Sequence, residues 1–133
     1  MERKYAYISV NGTGDTALVT AHFGLQPTTR WNVGDLRANG TKYGFSHWTY
    51  ESPTFEAVAL DEAILALVSF IEVKALNVAS LPADFEARIQ CVGYHERASP
   101  GFHLGRDLLQ RIARLGVALD FDLYCHAERS RSN

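Results

Sequence analysis

Val117-Ala118-Leu119-Asp120-Phe121-Asp122-Leu123-Tyr124-Cys125 is the stretch that decides how this chain is read. Val117, Leu119, Phe121, Leu123 and Cys125 fall on one phase of a two-residue repeat, and Ala118, Asp120, Asp122 and Tyr124 on the other. Because successive side chains of a strand point to opposite faces, the pattern is that of a β-strand with one buried and one wet face. Phe85-Glu86-Ala87-Arg88-Ile89-Gln90-Cys91 repeats it, with Glu86, Arg88 and Gln90 on the polar phase. Strands of a doubly covered parallel sheet read as continuous apolar runs. Charge at every second position therefore predicts a sheet with helices on one side only.

Working outward, Tyr5-Ala6-Tyr7-Ile8-Ser9-Val10 has strand composition and is closed by Asn11-Gly12-Thr13-Gly14. Asp15 is a cap or first-turn acid for a short helix through Leu18, Val19 and Phe23, with Gly24 as its left-handed terminator. Leu25 to Tyr43 reads as a long irregular connection, a length that small domains reserve for packed or functional loops. Phe45 to Tyr50 is a second strand. Ser52-Pro53 supplies a cap followed by a first-turn proline, predicting the start of a long helix there. Leu60, Ile64, Leu67, Val68 and Ile71 give it an apolar stripe, and Leu81-Pro82 is its latest possible end. Leu108, Leu109, Ile112 and Leu115 line a third helix that Gly116 ends.

The resulting order is strand, helix, strand, helix, strand, helix, strand. It predicts an α+β fold: a single four-stranded, mostly antiparallel sheet with helices on one face, ferredoxin-like, with an extra long helix between two strand-helix-strand halves. An α/β arrangement with a mixed or parallel sheet is the alternative. The ferredoxin-like form needs residues 77–83 to reverse the chain, since a crossover helix joins parallel strands. Residues 1–126 read as a single domain and residues 127–133 as a polar tail.

Composition narrows the function. The 133 residues are 47% hydrophobic and 21% charged, a globular mixture that needs no disulfide or metal to fold. Thirteen basic and fifteen acidic side chains leave a net charge of −2, which offers nothing to steer the chain to nucleic acid or anionic lipid. The apolar stretch Ala57 to Leu76 is interrupted by Asp61, Glu62, Glu72 and Lys74, so no membrane span is expected. After Met1-Glu2-Arg3-Lys4 no signal-peptide core follows, and a cytoplasmic location is the expectation.

If Ile8, Ile89, Leu119 and Phe121 face the helices, pleating sends Tyr5, Tyr7, Arg88, Gln90, Asp120, Asp122 and Tyr124 to the opposite face. Tyrosine joins apolar area to a hydrogen-bonding tip, so this surface suits a partner protein or a small ligand. The plain alternative is a solvated face with packed tyrosines and an Arg–Asp pair worth under about 1 kcal/mol.

Other chemistries find little support. Asp120 and Asp122, about 7 Å apart at their Cα atoms, resemble an acid/base or cation site less than a wet strand face. The five histidines lack metal-ligand spacing, and a Cys91–His95–Cys125 zinc site would need two strands that the favoured topology keeps apart. Gly12-Thr13-Gly14 lacks the lysine and third glycine of a phosphate loop and reads as a turn. No metal, cofactor or catalytic residue is predicted. The aromatic face would suit stacked RNA bases, but the two aspartates would repel the backbone.

Pro27-Thr28-Thr29-Arg30-Trp31 with Gly34-Asp35, Trp48-Thr49-Tyr50-Glu51-Ser52, Pro100-Gly101-Phe102-His103-Leu104 and Leu119-Asp120-Phe121-Asp122-Leu123-Tyr124 occur in an order that resembles the domain-of-unknown-function family 4279. The resemblance spans about Tyr5 to Tyr124. Asn32-Val33 departs from it by being neutral where basic residues are common. The resemblance implies a small, single-domain, intracellular bacterial protein with an immunity-like role beside toxin or phage genes, and it transfers no activity. Trp31 and Trp48 could pin the Leu25 to Gly44 segment to the sheet by packing; alternatively Arg30, Asp35 and Arg37 beside Trp31 line a pocket rim.

The function expected on these grounds is a non-enzymatic binding module that recognises a protein partner through Tyr5, Tyr7, Arg88, Asp120, Asp122 and Tyr124 together with Arg30, Trp31 and Asp35. The alternative is a small-molecule-binding or hydrolytic enzyme using Asp120, Asp122 and a histidine.

Overall fold

A computed structural model describes residues 3–95 and 101–125. The elements are β1 (Arg3–Gly12), α1 (Ala17–Phe23), β2 (Thr29–Trp31), β3 (Ser46–Tyr50), a 3-10 helix (Pro53–Phe55), α2 (Leu60–Lys74), β4 (Glu86–His95), α3 (Arg106–Leu115) and β5 (Ala118–Cys125). The proposed tail, residues 127–133, lies outside the described residues.

The sheet has five strands in the order β2-β3-β1-β4-β5. β1 is antiparallel to both β3 and β4, β2 is antiparallel to β3, and β5 runs parallel to β4. The fold is α+β, but the sheet is mixed and five-stranded, and the four-stranded, mostly antiparallel, ferredoxin-like arrangement is not adopted. The physical reason is the crossover through α2. It joins β3 and β4 as parallel strands, as such a connection does, by passing over β1 and landing on its far side. No chain reversal at residues 77–83 is needed.

Two further expectations are corrected. The Leu25 to Tyr43 connection contains β2, a three-residue edge strand too short to show alternation. Ser52-Pro53 starts the 3-10 helix, not the long one: the Ser52 hydroxyl accepts from the Thr54 N–H, and α2 begins seven residues after Pro53, at Leu60.

One apolar core lies on one side of the sheet. Ala6, Ile8 and Val10 of β1, Trp48 of β3, and Ile89 and Cys91 of β4 share it with Val19 and Phe23 of α1, the α2 stripe from Leu60 to Ile71, and Leu108 and Ile112 of α3. Trp48 is fully buried, its Nε1–H donating to Thr20 Oγ1 at 3.0 Å and its ring against Phe23. Among the described residues no helix is long and apolar enough to cross a membrane.

The Gly12-Thr13-Gly14 turn carries its anion internally. The Asp84 carboxylate accepts from the Thr13 N–H at 2.9 and 3.1 Å and from its hydroxyl at 2.7 Å. A Cβ on Gly12 would stand 2.7 Å from Phe85 Cδ1, and one on Gly14 3.0 Å from Phe85 Cε2. The glycines thus admit the Phe85 ring, and no phosphate is called for. Hydrogen bonds from the Thr13 N–H, then from its hydroxyl, hold the Asp84 carboxyl below its ordinary value. A depressed folded-state pKa contributes stability above the unfolded value of 3.8 that is lost as pH falls through the folded value. Asp84→Asn should therefore be less stable than the parent to urea at neutral pH, with the difference shrinking below about pH 4 as the parent carboxylate protonates.

Candidate functional site: the open face of the sheet

Among the described residues all three α-helices bury their apolar residues against one face, and none lies on the other. Register fixes its composition. Tyr7 stands opposite Gln90, which stands opposite Asp120; Tyr5 is opposite Val92, which is opposite Asp122; Arg3 is opposite Tyr94, which is opposite Tyr124. Asp120 and Asp122 therefore share a face with Tyr5 and Tyr7. Ile8, Ile89, Leu119 and Phe121 pack on the helix side.

The tyrosines are ordered by one another. Tyr5 and Tyr7 stack with centroids 6.2 Å apart, and Tyr94 and Tyr124 with centroids 4.8 Å apart. The Arg3 guanidinium lies 4.5 Å over the Tyr5 ring and reaches Glu56 Oε1 at 3.0 Å. Arg88 pairs with Asp120 at 3.5 Å, and Gln90 Nε2 donates to Asp122 at 2.8 Å. Toward β3, the Asn11 amide donates to His47 Nδ1 at 2.6 Å and its oxygen accepts from Arg88 Nη2 at 3.3 Å. Burial, then the nearby Arg88 charge, lowers the His47 pKa, which favours the neutral imidazole.

Beyond Tyr50 the β3 chain turns toward the 3-10 helix and leaves β1 unpaired until Tyr5 bridges to Glu56. The gap is a recess of about 290 Å³ lined by Arg3, Tyr5, Thr28, Glu51, Ser52 and Glu56. It opens beside the tyrosines and carries two carboxylates.

The Trp31 segment contributes only in part. Trp31 is on the open-face side of β2, opposite His47; it stacks on Tyr43 at 4.1 Å and meets the tilted His47 ring at 4.6 Å. Its Nε1–H donates to the Phe45 carbonyl at 3.0 Å. Arg30 points to the other side, opposite Trp48, and borders a separate hollow with Asp15, Thr20 and Asn32. Asp35 accepts from the Asn32 N–H at 2.8 Å and closes its own loop. Tyr5, Tyr7, Arg88, Asp120, Asp122 and Tyr124 thus come together, Trp31 stands at the far edge of their face, and Arg30 and Asp35 do not join them.

No histidine is brought to the aspartates among the described residues: His47 is on β3, beyond β1, and His95 is on the helix side. His126 lies outside the described residues. β4 and β5 are neighbours, contrary to the separation expected for the strands bearing Cys91, His95 and Cys125. Even so, among the described residues no group of three or more His, Cys, Asp or Glu side chains could hold a metal ion. Burial pushes the Cys91 thiol up to about 12.

The sequence profile of a domain of unknown function, DUF4279, matches residues 2–126. The chain belongs to this family. No curated protein and no solved structure matches it.

In this DUF4279 protein the motifs that carry the resemblance meet in pairs. Thr28 and Thr29 are tied to Thr49 and Glu51: the Thr28 N–H donates to the Thr49 carbonyl at 2.7 Å, and Thr28 Oγ1 accepts from the Glu51 N–H at 2.8 Å. Phe102 packs on Phe121 at 5.0 Å between centroids. Pro100, at the head of that third motif, lies outside the described residues. Glu51, Val92 and Tyr94 join the open face without having been singled out in the sequence. Val92 and Tyr94 were signalled only by the phase of Arg88 and Gln90, which continues past Cys91 to the end of β4.

Tyr7 is the titratable group of this face most affected by its surroundings. Burial first, then the carboxylates of Glu51 and Asp122 with the neighbouring tyrosines, pushes its phenol up to about 12. A raised folded-state value means stability that is whole below the unfolded pKa of 10.0 and is lost as pH rises toward 12. Tyr7→Phe should lose less stability than the parent between those two pH values, read from urea midpoints across an alkaline series.

Proposed function

We propose that this protein is a binding module whose open sheet face receives a partner protein presenting a basic surface. The observation that carries the reading is the joint position of Tyr5, Tyr7, Tyr94 and Tyr124 with Glu51, Asp120 and Asp122 on a face that no helix of the described residues covers. Tyrosines supply contact area at small entropic cost, and buried aromatic anchors dominate protein interfaces.

Charge selects the kind of partner. Arg3 and Arg88, the guanidiniums of this face, are each paired with a carboxylate. Glu51 and Asp122 have no cationic partner among the described residues. The recess between Glu51 and Glu56 has the size and sign for a lysine or arginine side chain. The same carboxylates disfavour a phosphate backbone.

The experiment compares immobilised parent protein with an Asp120→Lys/Asp122→Lys double variant and with Tyr124→Ala, all at exposed positions. A protein retained by the parent and lost with the charge reversal is then purified and titrated into the isotope-labelled chain. The expected result is a basic partner whose amide shifts map to β1, β4 and β5, with affinity at least tenfold lower for the double variant, about 1.4 kcal/mol. Equal retention by all three proteins, or shifts confined to the helices, contradicts the reading.

A further inference from the structure

The helix side of the sheet holds a second cavity, of about 240 Å³, at the end where β4 finishes and α2 begins. Lys4, Val58, Ala59, Leu60, Asp61, His95, Phe102 and His103 are among its walls. We propose that it is a binding site for a small organic anion, a carboxylate or phosphate group carried on an apolar body.

Two independent observations meet there. The first is an uncapped helix start. α2 is fifteen residues long, yet its N-cap is Ala59, which has no side-chain acceptor. Ala59 takes the N–H groups of Glu62 and Ala63 on its carbonyl, and among the described residues the N–H groups of Leu60 and Asp61 have no hydrogen-bond partner. Unsatisfied first-turn amides with the positive end of the helix dipole favour an anion.

The second is His95. It is 7% exposed, buried beyond nine-tenths, and among the described residues its ring makes no hydrogen bond or ion pair. Among the described residues the only fully enclosed side-chain polar atom without a partner is Thr49 Oγ1. The His95 nitrogens therefore keep some access, and this cavity is the opening the ring lines. The ring is seated by a gap in β4: a Cβ on Gly93 would stand 3.1 Å from His95 Nε2.

The other walls set the ligand's character. Phe102, Val58 and Leu60 offer apolar surface, and His103 adds its ring nitrogens. Asp61 places one carboxylate on the rim, which an anion would avoid and a hydroxyl or ammonium on the same ligand would satisfy. The volume lies below that of drug-sized sites, consistent with a compact acid of one ring or a short chain. This cavity is on the opposite side of the sheet from the proposed partner surface and does not depend on it.

The test is a titration of the isotope-labelled full chain with benzoate and phenyl phosphate, with benzamide as the neutral counterpart of benzoate. Saturable shifts at the Leu60 and Asp61 amides and the His95 ring, with benzamide at least roughly tenfold weaker, are expected. Val58 is 89% exposed on the rim, so Val58→Glu adds repulsion without disturbing the core and should weaken both anions by a similar factor. His95→Gln should do the same if it folds. Absence of saturable shifts with either acid, equal binding of benzamide, or unchanged binding by Val58→Glu overturns the proposal.

Discussion

One constraint organises the molecule: β1 is antiparallel to both of its neighbours and sends Ala6, Ile8 and Val10 to a core that all three helices cover from the same side. A strand has only two faces, so once that phase is taken, Tyr5, Tyr7 and Ser9 must stand on the other. The neighbouring strands follow by register. Sliding β4 by one residue would exchange Ile89 and Cys91 for Arg88 and Gln90 in the core, which the hydrophobic effect and the cost of burying charge forbid together.

This is why the outer half of the chain was legible from its sequence and the order of strands was not. The alternation in Phe85 to Cys91 and Val117 to Cys125 records which side of each strand is wet, and it gives the open face directly. It says nothing of which strand lies beside which. The choice between a ferredoxin-like sheet and the mixed one is made by α2, whose crossover could land beside β3 or one strand farther on. β2 carries no periodic signal because three edge residues, two of them exposed, are too few to show one, and Ser52-Pro53 does not distinguish the two helices because a capped proline turn begins 3-10 and α-helices alike.

The candidate surface shows the same division. Tyr5, Tyr7, Arg88, Asp120, Asp122 and Tyr124 were found by phase, and phase is a local property. Arg30 and Asp35 were chosen for their nearness to Trp31 in sequence, and β2 turns Arg30 to the opposite side while Asp35 is spent on its own loop. The Glu51 recess and the His95 cavity form where chain segments part, at the end of β3 and at the head of α2. Such places depend on three-dimensional neighbours that no spacing in the sequence announces. Gly12-Thr13-Gly14 is the reverse case: a pattern suggestive of a ligand is explained by Asp84 and the Phe85 ring from the same chain.

The central claim is that no helix of the described residues covers the tyrosine and carboxylate face, while the aromatic residues of the other phase are buried beneath the helices. Hydroxyl-radical footprinting with residue-level mass spectrometry tests it most directly. The account predicts oxidation of the partly exposed Tyr5 and the exposed Tyr124, with Trp48, Phe55 and Phe85 protected by roughly tenfold or more relative to them, as full burial requires. Protection of Tyr5, Tyr7 and Tyr124 equal to that of Trp48 would contradict it, since something would then cover the face that the fold leaves open.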